Sequence, residues 1–258
     1  MDRSRRNFLK LSGLCALGLG VKPVIDAFAA DERPRVFPNQ NALVGKRWAM
    51  VVDIRKCRND CNDCIDACNS VHNVPDFGNP KDEIKWIWHE EYEHAFPGRH
   101  HEYIEEELKH KPFTVLCNHC DNPPCVRVCP VKATFKREED GIVMMDFHRC
   151  IGCRCCMAAC PYGSRSFNWR DPRNALDPDK INPGFPTRMK GVAEKCNFCA
   201  ERLARGLMPA CVEACKDRAL IFGDLEDPDS EIRKVLRTNY TIRRKPELGT
   251  RPQVYYIV

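Results

Sequence analysis

The sequence predicts an α+β fold in which short strands and helices are joined by cysteine-rich loops. Beyond residue 30, the apolar runs of this 258-residue chain are short, and polar stretches with proline or glycine separate them. Eighteen cysteines are present, and sixteen of them fall into four groups of four. Such a count indicates either a disulfide framework or a set of metal sites.

Residues 1–29 have the pattern of an export signal. The motif S-R-R-x-F-L-K covers 4–10, an apolar run follows at 11–21, and A-F-A ends the segment at 27–29. The pattern resembles a twin-arginine signal peptide, so we predict a mature chain that starts at Ala30 on the periplasmic (extracytoplasmic) face of the cytoplasmic membrane. Retention as a membrane anchor is the alternative, although a run of about 11 residues is shorter than the roughly 20 that span a bilayer.

A strand is predicted at 48–54 (WAMVVDI), because this run is apolar and β-branched. It leads into the first cysteine group, in which a helical turn should begin at Cys64. The cysteine-free insert at 71–111 should contain a strand at 84–88 and a helical turn or two at 103–110. We expect the insert to offer a surface to a partner subunit.

Two side-chain types stand out in this insert. Trp86 and Trp88 are predicted to be core or interface anchors. The histidines lack a tight ligand pattern, and the chain contains no C-x-x-C-H haem motif. We therefore expect solvent-facing or hydrogen-bonding roles for all five: His89, His94, His100, His101 and His110.

The middle of the chain contains a second strand and a hairpin. The strand at 113–116 leads into the second cysteine group, whose loop is stiffened by two prolines. Apolar runs at 133–136 and 142–145 flank the turn E-E-D-G, a pattern that predicts a β-hairpin. The third cysteine group follows directly.

The last third begins with residues 162–195, which are rich in proline, aspartate and arginine and are predicted to be an extended surface connection. In the fourth cysteine group, a helical turn should end near Gly206. A strand at 220–222, a helix at 229–236 and a closing strand at 254–258 complete the prediction.

The spacing of the cysteines favours iron–sulfur clusters. The third group, followed by Pro161, has the spacing C-x2-C-x2-C-x3-C-P, which is typical of cubane clusters. We predict four [4Fe–4S] clusters, with sixteen iron ligands in four groups: Cys57, Cys61, Cys64 and Cys68; Cys117, Cys120, Cys125 and Cys129; Cys150, Cys153, Cys156 and Cys160; and Cys196, Cys199, Cys211 and Cys215. Zinc at one of the sites, or a disulfide scaffold, is the alternative. A twin-arginine signal favours clusters, because that route carries folded, cofactor-loaded proteins.

Two cysteines remain outside these groups. Cys15 belongs to the predicted signal peptide. Cys155 lies within C-x2-C-x-C-C, and its use in place of Cys156 would break both remaining gaps of the motif. We therefore predict that Cys155 binds no iron.

The charge of the chain gives little support to a nucleic-acid partner. The formal net charge is +5, of which +3 belongs to residues 1–29. Each oxidised cluster with its four thiolates adds about −2, so the loaded mature chain would carry roughly −6. The scattered lysines and arginines are then expected to compensate the charge of buried clusters.

Longer stretches carry a resemblance to a known family. The stretches CNHCDNPPCVRVCP, CIGCRCCMAACPYG, KCNFCAERLARGLMPACVEAC and ELGTRPQVYY resemble the four-cluster ferredoxin-type iron–sulfur subunits of respiratory complexes, a family that includes the dimethyl sulfoxide reductase and NrfC-like subunits. The likeness covers residues 45–258. Within the family, CNSVHNVP and EIKWIWHEEYEHAFPG are most similar to DsrO, the periplasmic subunit of the DsrMKJOP membrane complex.

The resemblance implies two interleaved ferredoxin-like halves with loop-rich insertions within a single domain at 30–258. The outer half would comprise 45–70 and 190–258, and the inner half 112–165. It also implies nested ligand sets. Three cysteines of each group would share a cluster with the last cysteine of another: Cys57, Cys61 and Cys64 with Cys215; Cys196, Cys199 and Cys211 with Cys68; Cys117, Cys120 and Cys125 with Cys160; and Cys150, Cys153 and Cys156 with Cys129.

The function implied is electron transfer without bond chemistry, since no nucleotide-binding glycine loop and no nucleophile–base pair is evident. Electrons would pass between a quinone-reactive, NrfD-like membrane subunit and cytochrome c or further iron–sulfur subunits, in sulfite or sulfur metabolism. The alternative is the iron–sulfur (β) subunit of a periplasmic molybdopterin oxidoreductase.

Overall fold

The computed structural model describes residues 41–99 and 103–258. The predicted signal peptide, Cys15, His100 and His101 lie outside these residues. Strand β1 (Trp48–Asp53) is the centre of the largest sheet, and all six of its residues are buried. It pairs antiparallel with β8 (Leu220–Asp224) and parallel with β9 (Val254–Ile257). The strand that precedes the first cysteine group is therefore held by two strands from the end of the chain.

Three two-stranded sheets complete the β structure, and each joins strands that are near a cysteine loop. All three pairs are antiparallel. The pairs are β2 (Ile87–Glu90) with β3 (Phe113–Leu116), β4 (Thr134–Lys136) with β5 (Val143–Met145), and β6 (Ser166–Phe167) with β7 (Ala193–Glu194).

The helices are short, because most of them only carry the chain from one cysteine to the next. The described residues contain α1 (Asp63–Val71), α2 (Tyr92–Ala95), α3 (Glu106–His110), α4 (Pro124–Arg127), α5 (Cys155–Ala159), α6 (Ala200–Leu203), α7 (Ala210–Ala214) and α8 (Glu231–Thr238). Single 3₁₀ turns lie at Ile54–Lys56, Pro97–Arg99, Pro172–Ala175, Pro178–Lys180 and Pro246–Leu248. No helix in the described part of the chain is both long enough and apolar enough to cross a bilayer.

Aromatic side chains of the insert and of the closing strand form much of the core. Trp86 is 1% exposed and Trp88 7%, as expected for core anchors. Phe96 packs edge-on against Phe113 and Tyr256, with ring centroids 5.5 and 5.1 Å apart. The insert thus contributes to the same core as the terminal strands.

The sequence located most elements to within three residues. The hairpin is confirmed with Thr134 opposite Met145. The strand predicted at 84–88 is shifted, because Ile87–Glu90 is the part that pairs with β3.

The prediction for 162–195 was wrong in one respect. The segment contains strands β6 and β7, and several of its polar side chains are buried, including Arg165, Asn168 and Arg188. These polar groups are buried because they find hydrogen-bond partners elsewhere in the core, which local composition does not reveal.

Candidate metal centres

Site 1 is a small cavity, partly open to solvent, that four cysteines from the first and last thirds of the chain line. These are Cys57, Cys61, Cys64 and Cys215. The 3₁₀ turn after β1 ends at Cys57, α1 carries Cys64, and Cys215 caps α7. Burial, followed by the charges of Cys57 and Cys215, raises the pKa of the Cys64 thiol to about 12.

Site 2 lies deeper than site 1 and consists of four buried cysteines: Cys68, Cys196, Cys199 and Cys211. Burial raises the pKa of Cys68 well above its usual value, and the neighbouring Cys196, Cys211 and Cys199 add to that effect. Helix α1 packs against α7, which brings Cys68 to the other three.

Site 3 is a small cavity in the middle of the chain, lined by Cys117, Cys120, Cys125 and Cys160. Burial raises the pKa of Cys120 to about 12, with a further contribution from Cys117. The same cavity is lined by Val143 and by a buried arginine, Arg165.

Site 4 is the predicted set Cys129, Cys150, Cys153 and Cys156, and its cysteines are the most exposed of the four sets. Helix α4 packs against α5, so Cys129 and Cys156 are near one another. Burial and the nearby Cys125, Cys150 and Cys129 raise the pKa of Cys156. Cys153 is exposed to solvent.

The four sites follow one another in a series. Cys64 of site 1 acts electrostatically on Cys68 and on Cys211 of site 2. Cys117 of site 3 acts in the same way on Cys196 of site 2, and Cys125 of site 3 on Cys156 of site 4. Because such effects fall off steeply with distance, these pairs identify the junctions between neighbouring sites. The order is 1–2–3–4.

Comparison with known proteins agrees with this arrangement of cysteines. A family model described as "4Fe-4S dicluster domain" matches residues 108–175 and 183–225. The "Hdr-like menaquinol oxidoreductase iron-sulfur subunit 1" of Archaeoglobus fulgidus is 40% identical over 275 aligned residues, which cover 98% of this chain and 97% of the relative. The chain belongs to the four-cluster ferredoxin-type iron–sulfur subunits of respiratory oxidoreductases.

Two further relatives show the breadth of the family. The "Menaquinone reductase, iron-sulfur cluster-binding subunit" of Nitratidesulfovibrio vulgaris is 37% identical, and the match covers 82% of this chain and 88% of the relative. A subunit of the tetrathionate reductase of Salmonella typhimurium is 36% identical, and the match covers 100% of this chain and 89% of the relative. The cofactors are four [4Fe–4S] clusters, as predicted.

The donor atoms at the four sites fit such clusters. All seventeen cysteines in the described part of the chain are free of disulfides. Backbone N–H groups point at sulfur in two of the sites, from Phe198 to Cys196 Sγ at 3.4 Å and from Ala219 to Cys215 Sγ at 3.2 Å. The raised thiol pKa values show that free thiolates are disfavoured here. Bound iron would supply the compensating positive charge, because a coordinating thiol is deprotonated outright.

The loops reach these positions through left-handed backbone at several points. Cys199 and Arg154 have φ of +52° and +62°, which is uncommon for residues other than glycine. Gly152 has φ +68°, and a Cβ there would lie 2.4 Å from the Gly191 carbonyl oxygen. This close approach explains why the third group begins C-I-G-C.

Cys155 lies at the surface beside site 4, and its Sγ is 3.9 Å from the Cys153 carbonyl oxygen. The assignment of sixteen ligands and one non-ligand stays a prediction. In the insert, the side chains of His94 and His110 are 63% and 78% exposed, whereas His89 lies 3.1 Å from the Cys61 carbonyl oxygen through Nε2.

Two buried histidines were missed. His72 is 1% exposed, and its Nδ1 lies 2.9 Å from the Cys68 carbonyl oxygen. Its Nε2 lies 2.9 Å from Glu201 Oε1. His119 is fully buried and stacks on Phe198 with ring centroids 3.7 Å apart. The sequence signal that could have identified them is their spacing from cysteines: His72 follows Cys68 by four residues, and His119 directly precedes Cys120.

Proposed function

We propose that this chain is an extracytoplasmic electron-transfer subunit that relays single electrons between a quinone-reactive, NrfD-like membrane subunit and other redox subunits of the same complex. The observation that carries the proposal is the series of four cysteine sites within one folded unit. When bound, the clusters supply one-electron redox chemistry. The protein holds them in order, excludes water from the middle of the series and leaves the two ends accessible.

The ligand sets proposed are those of sites 1 to 4, with the last cysteine of each group serving the neighbouring site. The cavities of sites 1 and 3 support this nesting, because Cys215 and Cys160 line them beside cysteines from other groups. Pairing of β1 with β8 and β9 supports an outer ferredoxin-like half that is built from both ends of the chain. Two interleaved ferredoxin-like halves would account for both observations.

We assign the membrane subunit to the site 4 end. Exposed apolar side chains flank its cysteines, with Ile151 64% exposed, Trp169 46% and Val128 41%. Apolar groups gathered in this way mark interaction surfaces. Two relatives with menaquinol or menaquinone in their names support a quinone-linked partner.

The site 1 end has a different character and suits a soluble redox partner such as cytochrome c or a further iron–sulfur subunit. Its cavity is lined by Lys56, Arg58, Lys216 and Asp217. Charged surfaces speed encounters between soluble redox proteins and fix their orientation.

The link to sulfite or sulfur metabolism, and the likeness to DsrO, remain part of this proposal. The second candidate is the iron–sulfur subunit of a periplasmic molybdopterin oxidoreductase. The match to the tetrathionate reductase protein over the full length of the chain favours that candidate.

Purification of the complex in mild detergent tests both proposals. About sixteen irons per chain, together with an NrfD-like membrane subunit and a multihaem cytochrome, is the result expected of the first. A molybdenum-containing catalytic subunit in place of the cytochrome would establish the second. Zinc in place of iron would overturn both.

A further inference from the structure

Arg165 is a buried cation at the junction of sites 3 and 4, and only 5% of the residue is exposed. Its Nη2 donates to Cys125 Sγ at 3.1 Å and to Thr134 Oγ1 at 2.7 Å. Burial by itself lowers the pKa of a guanidinium, yet the sulfurs of Cys125, Cys156 and Cys117 raise the pKa of Arg165 above its usual value. The sulfurs are therefore the negative partners of this cation.

Lys195 is a second buried cation and is 1% exposed. Its Nζ donates to the carbonyl oxygen of Val143, a residue that lines the site 3 cavity, and to the Cys196 carbonyl oxygen at 2.5 Å. The ammonium thus lies where sites 2 and 3 meet.

Neither cation has a carboxylate partner within residues 41–99 and 103–258, unlike the buried Arg188 and Asp140, which each pair with an opposite charge. Arg188 and Glu194 are fully buried but pair at 2.7 Å, and the carboxylate of Asp140 pairs with Arg137. Burial of an unpaired cation is costly. Two such cations near site 3 indicate that the compensating negative charge belongs to the cluster and thiolates of that site.

We propose that Arg165 and Lys195 are the counter-charges of the cluster at site 3 and make it the most easily reduced of the four. This inference rests on the proposed function. Reduction adds one electron and takes the cluster with its four thiolates from about −2 to about −3. A nearby fixed cation stabilises the reduced form more than the oxidised form, so the reduction potential rises. An electron that enters at either end would then reside longest at site 3.

The expected size follows from Coulomb's law. With an effective dielectric constant of about 20, loss of one unit charge a few ångströms away changes the ratio of oxidised to reduced cluster at least about tenfold. For a one-electron couple, a tenfold change corresponds to about 59 mV. Site 3 should respond to the loss of either cation, because Arg165 donates to Cys125 and Lys195 to the carbonyl of Val143, which lines the site 3 cavity. Site 2 borders Lys195 alone, and site 4 borders Arg165 alone.

The test is a potentiometric titration of the purified, cluster-loaded protein, followed by EPR. Arg165→Gln and Lys195→Met should each lower the reduction potential of one cluster by at least about 59 mV, which corresponds to a tenfold change in the ratio of oxidised to reduced cluster. Arg165→Lys and Lys195→Arg keep the charge, so in these variants the potential should stay close to that of the unmodified protein. Arg149→Gln is the matched control. Arg149 adjoins Cys150, but its side chain is 67% exposed, so solvent should screen its loss.

Three outcomes overturn the proposal. The first is unchanged potentials in Arg165→Gln and Lys195→Met. The second is a shift in the charge-keeping variants as large as in the neutral ones, and the third is a shift of that size in Arg149→Gln. If neither neutral variant retains iron, the unmodified protein still decides. The EPR signal of highest potential must then be the one that Cys120→Ser removes, and a signal from another site refutes the inference. Sixteen irons in the unmodified protein would leave the proposed function standing in each of these cases.

Discussion

Glu194→Gln should sharply destabilise the folded protein. The Glu194 carboxylate is fully buried and accepts hydrogen bonds from Trp86 Nε1 at 2.9 Å, Asn168 Nδ2 at 2.5 Å and Arg188 Nη2 at 2.7 Å. Arg188 in turn binds the carbonyl oxygens of His72 and Asn73. This network fixes the end of α1, which carries Cys68 of site 2.

The magnitude follows from the uncompensated charge. Glutamine keeps the shape and one acceptor oxygen but leaves the buried guanidinium without a negative partner, and breaking a buried pair in this way costs about 3–5 kcal/mol. A loss of this size corresponds to about two to four powers of ten in an equilibrium constant.

A suitable assay is the rate at which the loaded protein loses its visible cluster absorbance in denaturant under anaerobic conditions, because cluster loss makes unfolding irreversible. Asp82→Asn is the control. Asp82 pairs with Arg170 at 3.0 Å, but the Arg170 side chain is 61% exposed, and such a pair contributes about 0–1 kcal/mol. If Glu194→Gln loses its clusters no faster than Asp82→Asn, the network does not hold site 2 in place and the reasoning fails.

Three further predictions concern the sites and their surroundings. Cys153→Ser should lower the iron content by about four atoms per chain and remove one EPR signal, whereas Cys155→Ser should change neither; equal losses would refute the ligand assignment. Replacement of Arg5 and Arg6 by lysine should leave the loaded protein in the cytoplasm, as cell fractionation would show, and normal export would remove the evidence for a twin-arginine signal. Ile151→Asp should weaken co-purification with the membrane subunit at constant iron content, and undiminished association would move the docking surface away from site 4.

The cysteine loops were predictable because their chemistry is local. Ligands to one cluster recur at gaps of two to four residues, and the short strands before them are continuous apolar runs. Residues 48–54 and 113–116 were recognised on that basis, and β3 has the predicted bounds. Pairing of β1 with β9 was not foreseen, because it joins residues about 200 positions apart and leaves no local trace.

The buried polar groups were the main omission. Composition predicts that arginine and lysine lie at the surface, and on that basis 162–195 was predicted to be a surface connection. Arg165, Arg188 and Lys195 are buried instead, since each meets sulfur or carbonyl groups from distant parts of the chain. Their neighbours become visible only in three dimensions. The general expectation that cations compensate cluster charge did not single out which of the 41 lysines and arginines do so.

Burial along the series explains how one chain can relay electrons without losing them on the way. All four cysteines of site 2 are buried, as are three of the four at site 3, while sites 1 and 4 each contain at least three cysteines that are exposed or partly exposed. Transfer to a partner requires close approach, so the more exposed sites 1 and 4 are the proposed points of contact with partners. The apolar surface at site 4 and the charged surface at site 1 would then select different partners. Arg165 and Lys195 lie between these ends, next to the proposed cluster at site 3. A charge placed there can change how long an electron resides at that cluster without altering either docking surface.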